Sequence, residues 1–463
     1  MSPFRAHRMH LILVISLGWA PSSSRAQRSW IVTPDGVGAD APTIQAAVDS
    51  AQPGDAVLLT FGRYTWSTQK PSGESMIRMS KPVAMRGLEF DPRLVVLDAE
   101  GMGRILECSN VGHIDIEWIT FGNGSISSLT TNTRGGAILA SGNSNPTIQY
   151  CVFSTNVSES PVDGGGGAIA CDSAFVLGCR FVNNRAGGPA GDGGAVVCGA
   201  ASFSHCRFIS NAATGNSVAR GGAISGRGIS LSDCVFLDCS STAQQDAQGG
   251  AVCGAAFVGW CEFGRCSASG SLGRGGGICG ATSVSHTVFY ENRASTGTAV
   301  FDEASSNLTD CAILRNSGGP AIDIATGVIA NCVLVANEAL EPGGVGGIAT
   351  SSASINSTIV CRTAGLACGG GPAQAWYCCD LFGNAQGDTF CGVDGGGNFS
   401  ADPLFCTDPV VTHRVDLFDH SPCVPGHHPP GAQLCSIIGG ESASHCNVPV
   451  GKATWSAMKR RYR

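Results

Sequence analysis

The sequence is short of nearly everything a helical or highly charged protein needs. Only 14% of its 463 residues are charged and 7% are aromatic. A formal net charge of −7 excludes a basic nucleic-acid binder, and so low a charge density excludes a disordered acidic tail. No apolar run approaches the ~20 residues of a membrane-spanning helix. Asp-Asp, Asn-Thr-Asp and His-Gly, pairings that gather carboxylates or a base in one place, are all missing.

What the chain has is one short phrase repeated. Gly135-Gly136-Ala137-Ile138 leads to Ile148, Cys151, Phe153 and Asn156, and Gly166-Gly167-Ala168-Ile169 leads to Val176, Cys179, Phe181 and Asn184. The phrase returns from Gly193 with Phe208 and Asn211, from Gly221 with Phe236 and from Gly249 with Phe263, then decays through Phe289. A period of roughly 22 to 28 residues marks a stacked solenoid. Inside each repeat, Cys179 and Phe181 flank Arg180, and Cys261 and Phe263 flank Glu262, the two-residue period of a half-buried strand. Each repeat is too short and too rich in glycine and serine for a strand with a covering helix. The pattern predicts an all-β, right-handed parallel β-helix of about twelve coils, with three short strands per turn.

Equivalent residues of successive coils lie ~4.8 Å apart. Phe153, Phe181, Phe208, Phe236, Phe263 and Phe289 are therefore expected to form one internal column. Ile148, Val176, Phe203, Leu231, Val258, Val284 and Leu308 form a second; Ile138, Ile169, Val196, Ile224, Val252, Ile278 and Val300 form a third. Asn156, Asn184 and Asn211, and later Asn292, Asn316 and Asn337, are expected at a corner, tolerating left-handed φ and bonding to the next coil.

Residues 1–26 read as a secretory signal, with Arg5 and Arg8 before the apolar run Leu11 to Trp19 and Ser24-Arg25-Ala26 at the cleavage site. The protein is accordingly expected to be secreted or held at the cell surface. Residues 27–64 form an N-terminal cap and first coil, in which Thr43 N-caps a helix burying Ile44, Ala47 and Val48, and Asp55 to Leu59 reads as the first strand. Irregular coils are expected over 65–134, regular ones over 135–360, and Cys-rich C-terminal coils and cap over 361–440; 441–463 is expected to be a basic tail. Of the 23 cysteines, Cys151, Cys179, Cys206, Cys234 and Cys261 share one repeat position and are expected to be buried free thiols. The pairs Cys171/Cys198, Cys239/Cys266, Cys253/Cys279 and Cys311/Cys332 raise the same question of pairing. The cysteines from Cys361 to Cys446 are expected to staple the cap.

Thr43-Ile44-Gln45-Ala46-Ala47-Val48, Pro53-Gly54-Asp55 and Gly62-Arg63-Tyr64 resemble the opening segment of pectate-lyase-like right-handed β-helix proteins. The GGA-Ile/Val and Phe-x-x-Asn words are similar to the repeats of the polymorphic outer membrane proteins, a family of bacterial surface adhesins and autotransporters. Asn398-Phe399, Asp402-Pro403-Leu404-Phe405 and Ser421-Pro422-Cys423 resemble the closing segment of secreted bacterial β-helix proteins. These resemblances imply the fold over most of residues 30–440. They leave function open among lyases, hydrolases and binding proteins.

Residues 157–165, 185–192, 212–220, 240–248 and 267–274 read as loops of near-equal length, stacked on one edge, with glycine, alanine and serine favouring a smooth wall. Arg134, Asp192, Arg220 and Arg274, each just before a GGA word, form a candidate binding face for an acidic polysaccharide or cell-surface glycan; the plain alternative is surface charge spacing. Asp163, Asp172 and Asp192 are the best available catalytic carboxylates, and Ca²⁺ is the ion they would take; turn residues are the commoner reading. His413, His420, His427 and His428 match no metal signature, so no metal site is assigned. The sequence thus favours a non-catalytic, adhesin-like or scaffold protein, expected to be monomeric, over a polysaccharide lyase or glycosidase.

Overall fold

The computed structural model describes residues 27–127, 133–161 and 164–439. The expected signal segment 1–26, the tail 441–463 and Asp163 lie outside the described residues. The architecture is an all-β parallel solenoid of about 12 turns.

One coil shows how the sequence winds. Ile169–Leu177 runs in a first sheet, Arg180–Val182 in a second and Arg185–Asp192 in a third, before Val196–Ser204 re-enters the first sheet one coil on. Those sheets hold 19, 13 and 9 strands, and the coil-to-coil pairings are parallel. The three columns of inward residues stack as their repeat phase requires, in register Ile169↔Val196, Val176↔Phe203 and Phe181↔Phe208. The phenylalanine rings lie face to face, with centroids 4.6 to 5.0 Å apart, and the column extends one coil further to Phe121. Each ring is fully buried, and burial of each contributes about 2–3 kcal/mol.

The GGA word has a stereochemical cause at each letter. Its first glycine sits at positive φ, +61° at both Gly166 and Gly193, where a Cβ is costly. Any Cβ on the second, Gly167 or Gly194, would strike the carbonyl oxygen of the corresponding glycine one coil on. The alanine points inward and is fully buried. The turn can pass this tightly only without side chains, and alanine fills the space left inside.

At the opposite corner the asparagines form a ladder. The Asn184 N–H and Nδ2 both donate to Asn211 Oδ1, at 3.0 and 2.9 Å, and Asn211 Nδ2 donates to the Phe181 carbonyl at 3.0 Å. Cys239 and Cys266 occupy the same corner and direct their thiols to the matching carbonyls of Phe208 and Phe236. The left-handed φ expected of these asparagines belongs to their predecessors: Thr155, Asn183 and Ser210 have φ near +53°. The ladder residues are thereby turned inward to bond.

Three further expectations are corrected. In the stacked segments, Val157–Glu159, Gly164–Gly165, Arg185–Asp192 and Ala212–Arg220 are strands of the third sheet, because coil-to-coil pairing satisfies their backbone whatever their side chains. The first strand is Ser29–Val32, paired with Ala56–Leu59 and so one strand earlier than expected. The helix Ile44–Ser50 is present, with Ala46 N–H donating to Thr43 Oγ1 at 3.1 Å and Ile44, Ala47 and Val48 buried.

The third correction concerns the C-terminal cysteines, which are not all staples. Trp376 and Phe390 close the end of the core at a centroid distance of 5.7 Å, beside the disulfide Cys368–Cys391. From Phe399 onward the chain does not cap that end. It runs back over the outer face of the second sheet, where Leu417, Cys423 and Ile438 cover Leu314, Val333, Val335 and Ile359 in a separate apolar cluster. Strands Ala312–Leu314, Val333–Val335 and Ile359–Cys361 are buried at every residue, so their outer face also needs a cover. Cys378–Cys435 ties this strap down and Cys406 is disulfide-bonded, but Cys361, Cys379 and Cys423 are free, so not every C-terminal cysteine is a staple. The column Cys151, Cys179, Cys206, Cys234 and Cys261 is free and buried, as expected.

Candidate functional site

The candidate residues of the sequence lie around the turn that precedes each GGA word. Asp172 lies exposed in Ile169–Leu177 of the first sheet, whereas Asp192 ends a third-sheet strand and is half-buried. A turn separates the two, so no carboxylate cluster forms from them. Among the described residues no group of three or more His, Cys, Asp or Glu is disposed to hold a metal ion. Arg134, Asp192, Arg220 and Arg274 do fall in one register file. Arg220 pairs with Asp192 of the same file at 3.3 Å, and Arg274 with Asp246 at 3.6 Å and Glu303 at 2.6 Å, both outside it. Arg220 and Arg274 are thus each matched by a carboxylate and do not make a bare cationic stripe.

The C-terminal histidines serve packing in the strap. His413 stacks on Tyr290 at 4.1 Å, His420 on Phe418, and His428 bonds the carbonyls of Pro422 and Cys435.

The most chemically varied surface lies elsewhere, on the outer face of the first sheet in its early coils. Strand His113–Glu117 alternates, with Ile114 and Ile116 inward and His113, Asp115 and Glu117 outward. Arg86, from the coil below, pairs in register with Glu117. Its guanidinium lies 3.6 Å from Asp115 and 3.4 Å from Glu117, and His113 Nε2 lies 3.2 Å from Asp115. Asn145, Thr147 and Gln149 continue these three files into the next coil.

An aromatic edge adjoins this patch. Trp118 and Tyr150 follow Glu117 and Gln149 at the corner between the first and second sheets, both left-handed, at φ +60° and +53°. Their rings stack at 4.4 Å, with Phe90 edge-on to Trp118 at 6.0 Å. Further along the same corner Trp260 stacks on His286 at 4.1 Å, and His286 Nε2 lies 3.6 Å from Asp310. Trp260 is 47% exposed and neighbouring Phe257 44%. Rings presented outward beside charged and amide groups offer an apolar face with hydrogen-bonding groups at its rim. This surface was missed because the repeat phrase begins at Gly135. The signal was the alternation His113-Ile114-Asp115-Ile116-Glu117, with an aromatic at the following corner.

Shallow cavities also mark the surface of the described residues. One, of about 450 Å³, lies beside the N-terminal helix, lined by Gln45, Asp49, Arg78 and Glu107. Another, of about 520 Å³, lies on the third sheet, lined by Pro161, Pro189, Thr214 and the ion pair Glu159–Arg185.

No known family profile matches the chain, and no curated protein matches it in sequence. Among solved structures the chain is similar to a mannuronic acid specific polysaccharide family 6 lyase from human gut microbiota, at 11% identity over 80% of this chain and 82% of that one, with a TM-score of 0.37. It is also similar to a family 6 polysaccharide lyase from Pseudopedobacter saltans, at 10% identity over 85% and 96%, TM-score 0.39. A tailspike protein of an E. coli bacteriophage, in complex with a pentasaccharide, is similar at 14% identity over 80% and 70%, TM-score 0.31.

Proposed function

We propose that the protein is an exported β-helix that holds a glycan chain along the outer face of its first sheet, in a non-catalytic, adhesin-like or scaffold role. The observation that carries this reading is the pair of outward ring stacks at one corner, Trp118 on Tyr150 beside the Arg86, Asp115 and Glu117 patch and Trp260 on His286 several coils further along. Stacked rings along one edge suit an extended ligand lying parallel to the solenoid axis, and Arg86 suits an acidic sugar. The C-terminal disulfides fit an oxidising compartment. Titration with acidic oligosaccharides tests the proposal: Trp118→Ala and Arg86→Ala are each expected to weaken binding about tenfold, ~1.4 kcal/mol. Unchanged affinity in both variants would remove the reading.

One observation favours a second reading, a polysaccharide lyase. His113 is held by Asp115 at 3.2 Å beside Arg86, a base next to a cation that can neutralise a uronate carboxylate while the neighbouring proton is removed. An unsaturated product from an acidic polysaccharide, lost in His113→Ala, would put this reading first.

A further inference from the structure

Among the described residues every free cysteine is buried except two, Cys253 and Cys279, which are part-exposed. These two are also register partners on adjacent coils of the first sheet. Cys171 and Cys198 are register partners as well, yet both are buried and belong to the main core. The column thiols are likewise withdrawn, Cys206 donating to the carbonyls of Val176 and Ser204.

The backbone treats the exposed pair alike. Each is followed by a left-handed glycine, Gly254 at φ +85° and Gly280 at φ +73°, and the sheet register shifts just beyond Cys279. Adjacent parallel strands set Cα atoms ~4.8 Å apart, inside the disulfide window, but parallel Cβ vectors ordinarily hold the sulfurs too far apart. A left-handed glycine beside each cysteine departs from the regular strand at the point where such a bond would have to form. The thiols already share a hydrogen bond, and that bond, with burial behind it, pushes the Cys279 thiol well up. That bond and burial disfavour the Cys279 thiolate, and the first attack is assigned to Cys253. The Cys253 thiol donates to Gln248 Oε1 at 3.7 Å, and the Arg274 guanidinium near Cys279 only partly offsets the upward shift there.

We propose that Cys253 and Cys279 are a surface dithiol that closes to an inter-coil disulfide by exchange with a low-molecular-weight disulfide. The Cys253 thiolate attacks one sulfur of that reagent, forming a mixed disulfide and expelling one thiolate, which takes up a proton. Cys279 loses its proton to solvent, attacks the Cys253 sulfur and expels the second thiol. Two protein thiols are oxidised and one external disulfide is reduced to two thiols. The bond clamps the coil that carries Trp260 to the coil that carries His286, so the stacked pair at that corner is fixed by a covalent link.

The experiment uses the purified full chain. It is reduced, alkylated without denaturation, digested and analysed by mass spectrometry, and a parallel sample is first treated with oxidised glutathione. Cys253 and Cys279 are expected to alkylate at least about tenfold faster than Cys151, Cys179 or Cys206, as exposure dictates. After glutathione the wild type is expected to yield a Cys253–Cys279 cross-linked peptide, and Cys279→Ser a stable glutathione adduct on Cys253. A stable adduct in the wild type without the cross-link, or alkylation no faster than at the column cysteines, would overturn the proposal. Neither result depends on whether the protein binds a glycan.

Discussion

The second sheet contains two kinds of strand, and the contrast explains how this molecule is built. In the middle coils, Arg180–Val182 and Arg207–Ile209 bury only their central phenylalanine, leaving the outward residues part-exposed or exposed. In the late coils, Val333–Val335 and Ile359–Cys361 bury every residue, because the C-terminal strap lies on the outer face. The same backbone position is thus half of one core in one region and shared between two in the other. Identical substitutions should therefore have different costs along one file.

The largest effect tests the shared interior. Phe208→Asp places a carboxylate inside the ring column with no partner and is expected to abolish soluble expression, a loss above about 5 kcal/mol. A normal melting curve would mean that the column does not face inward. The comparison itself is tested next, at two register-equivalent outward positions. Val335→Asp, under the strap, is expected to cost about 3 kcal/mol by denaturant titration, and Val182→Asp less than about 1 kcal/mol. Equal costs would show that the strap covers nothing.

A pH titration sharpens the same boundary. Asp380 is fully buried in the second sheet, beneath the strap, where burial pushes its carboxyl up to about 7 despite hydrogen bonds from Ala401 N–H and Cys423; Asp388 and Asp402 add like charge. Its folded pKa is above the unfolded value, so the folded state binds the extra proton. Stability is then fully present below about pH 4 and falls as pH rises to about 7, by roughly 4 kcal/mol if the shift is expressed in full. Asp380→Asn is expected to flatten that fall, and an unchanged pH profile would remove the argument. The smallest effect concerns the corner ladder: Asn211→Ala orphans two donors on Asn184 and should cost about 2 kcal/mol, and Asn211→Cys, which imitates Cys239, less.

Much of this was legible beforehand. The ladders through Phe153, Ile148 and Ile138, the free cysteine column and the Thr43-capped helix all stand where the residues place them. The third sheet was not legible, since Gly, Ala, Ser and Thr read as loop until a neighbouring coil supplies hydrogen bonds. The strap was within reach: Ala312-Ile313-Leu314 and Val333-Leu334-Val335 lack the outward polar residue of Arg180-Phe181-Val182, and that uninterrupted apolar character signals burial on both faces. The charged and aromatic patch was missed because its early coils lack the repeat words.

From its residues alone, this chain determines what lies inside the tube: a side chain recurring at one phase must stack on its own counterpart, and only small or apolar groups survive there. Tertiary structure decides what lies outside. Outward side chains obey no such period, so which coil's arginine meets which carboxylate, and where the last forty described residues come to rest, depends on register and covering contacts that no single repeat contains.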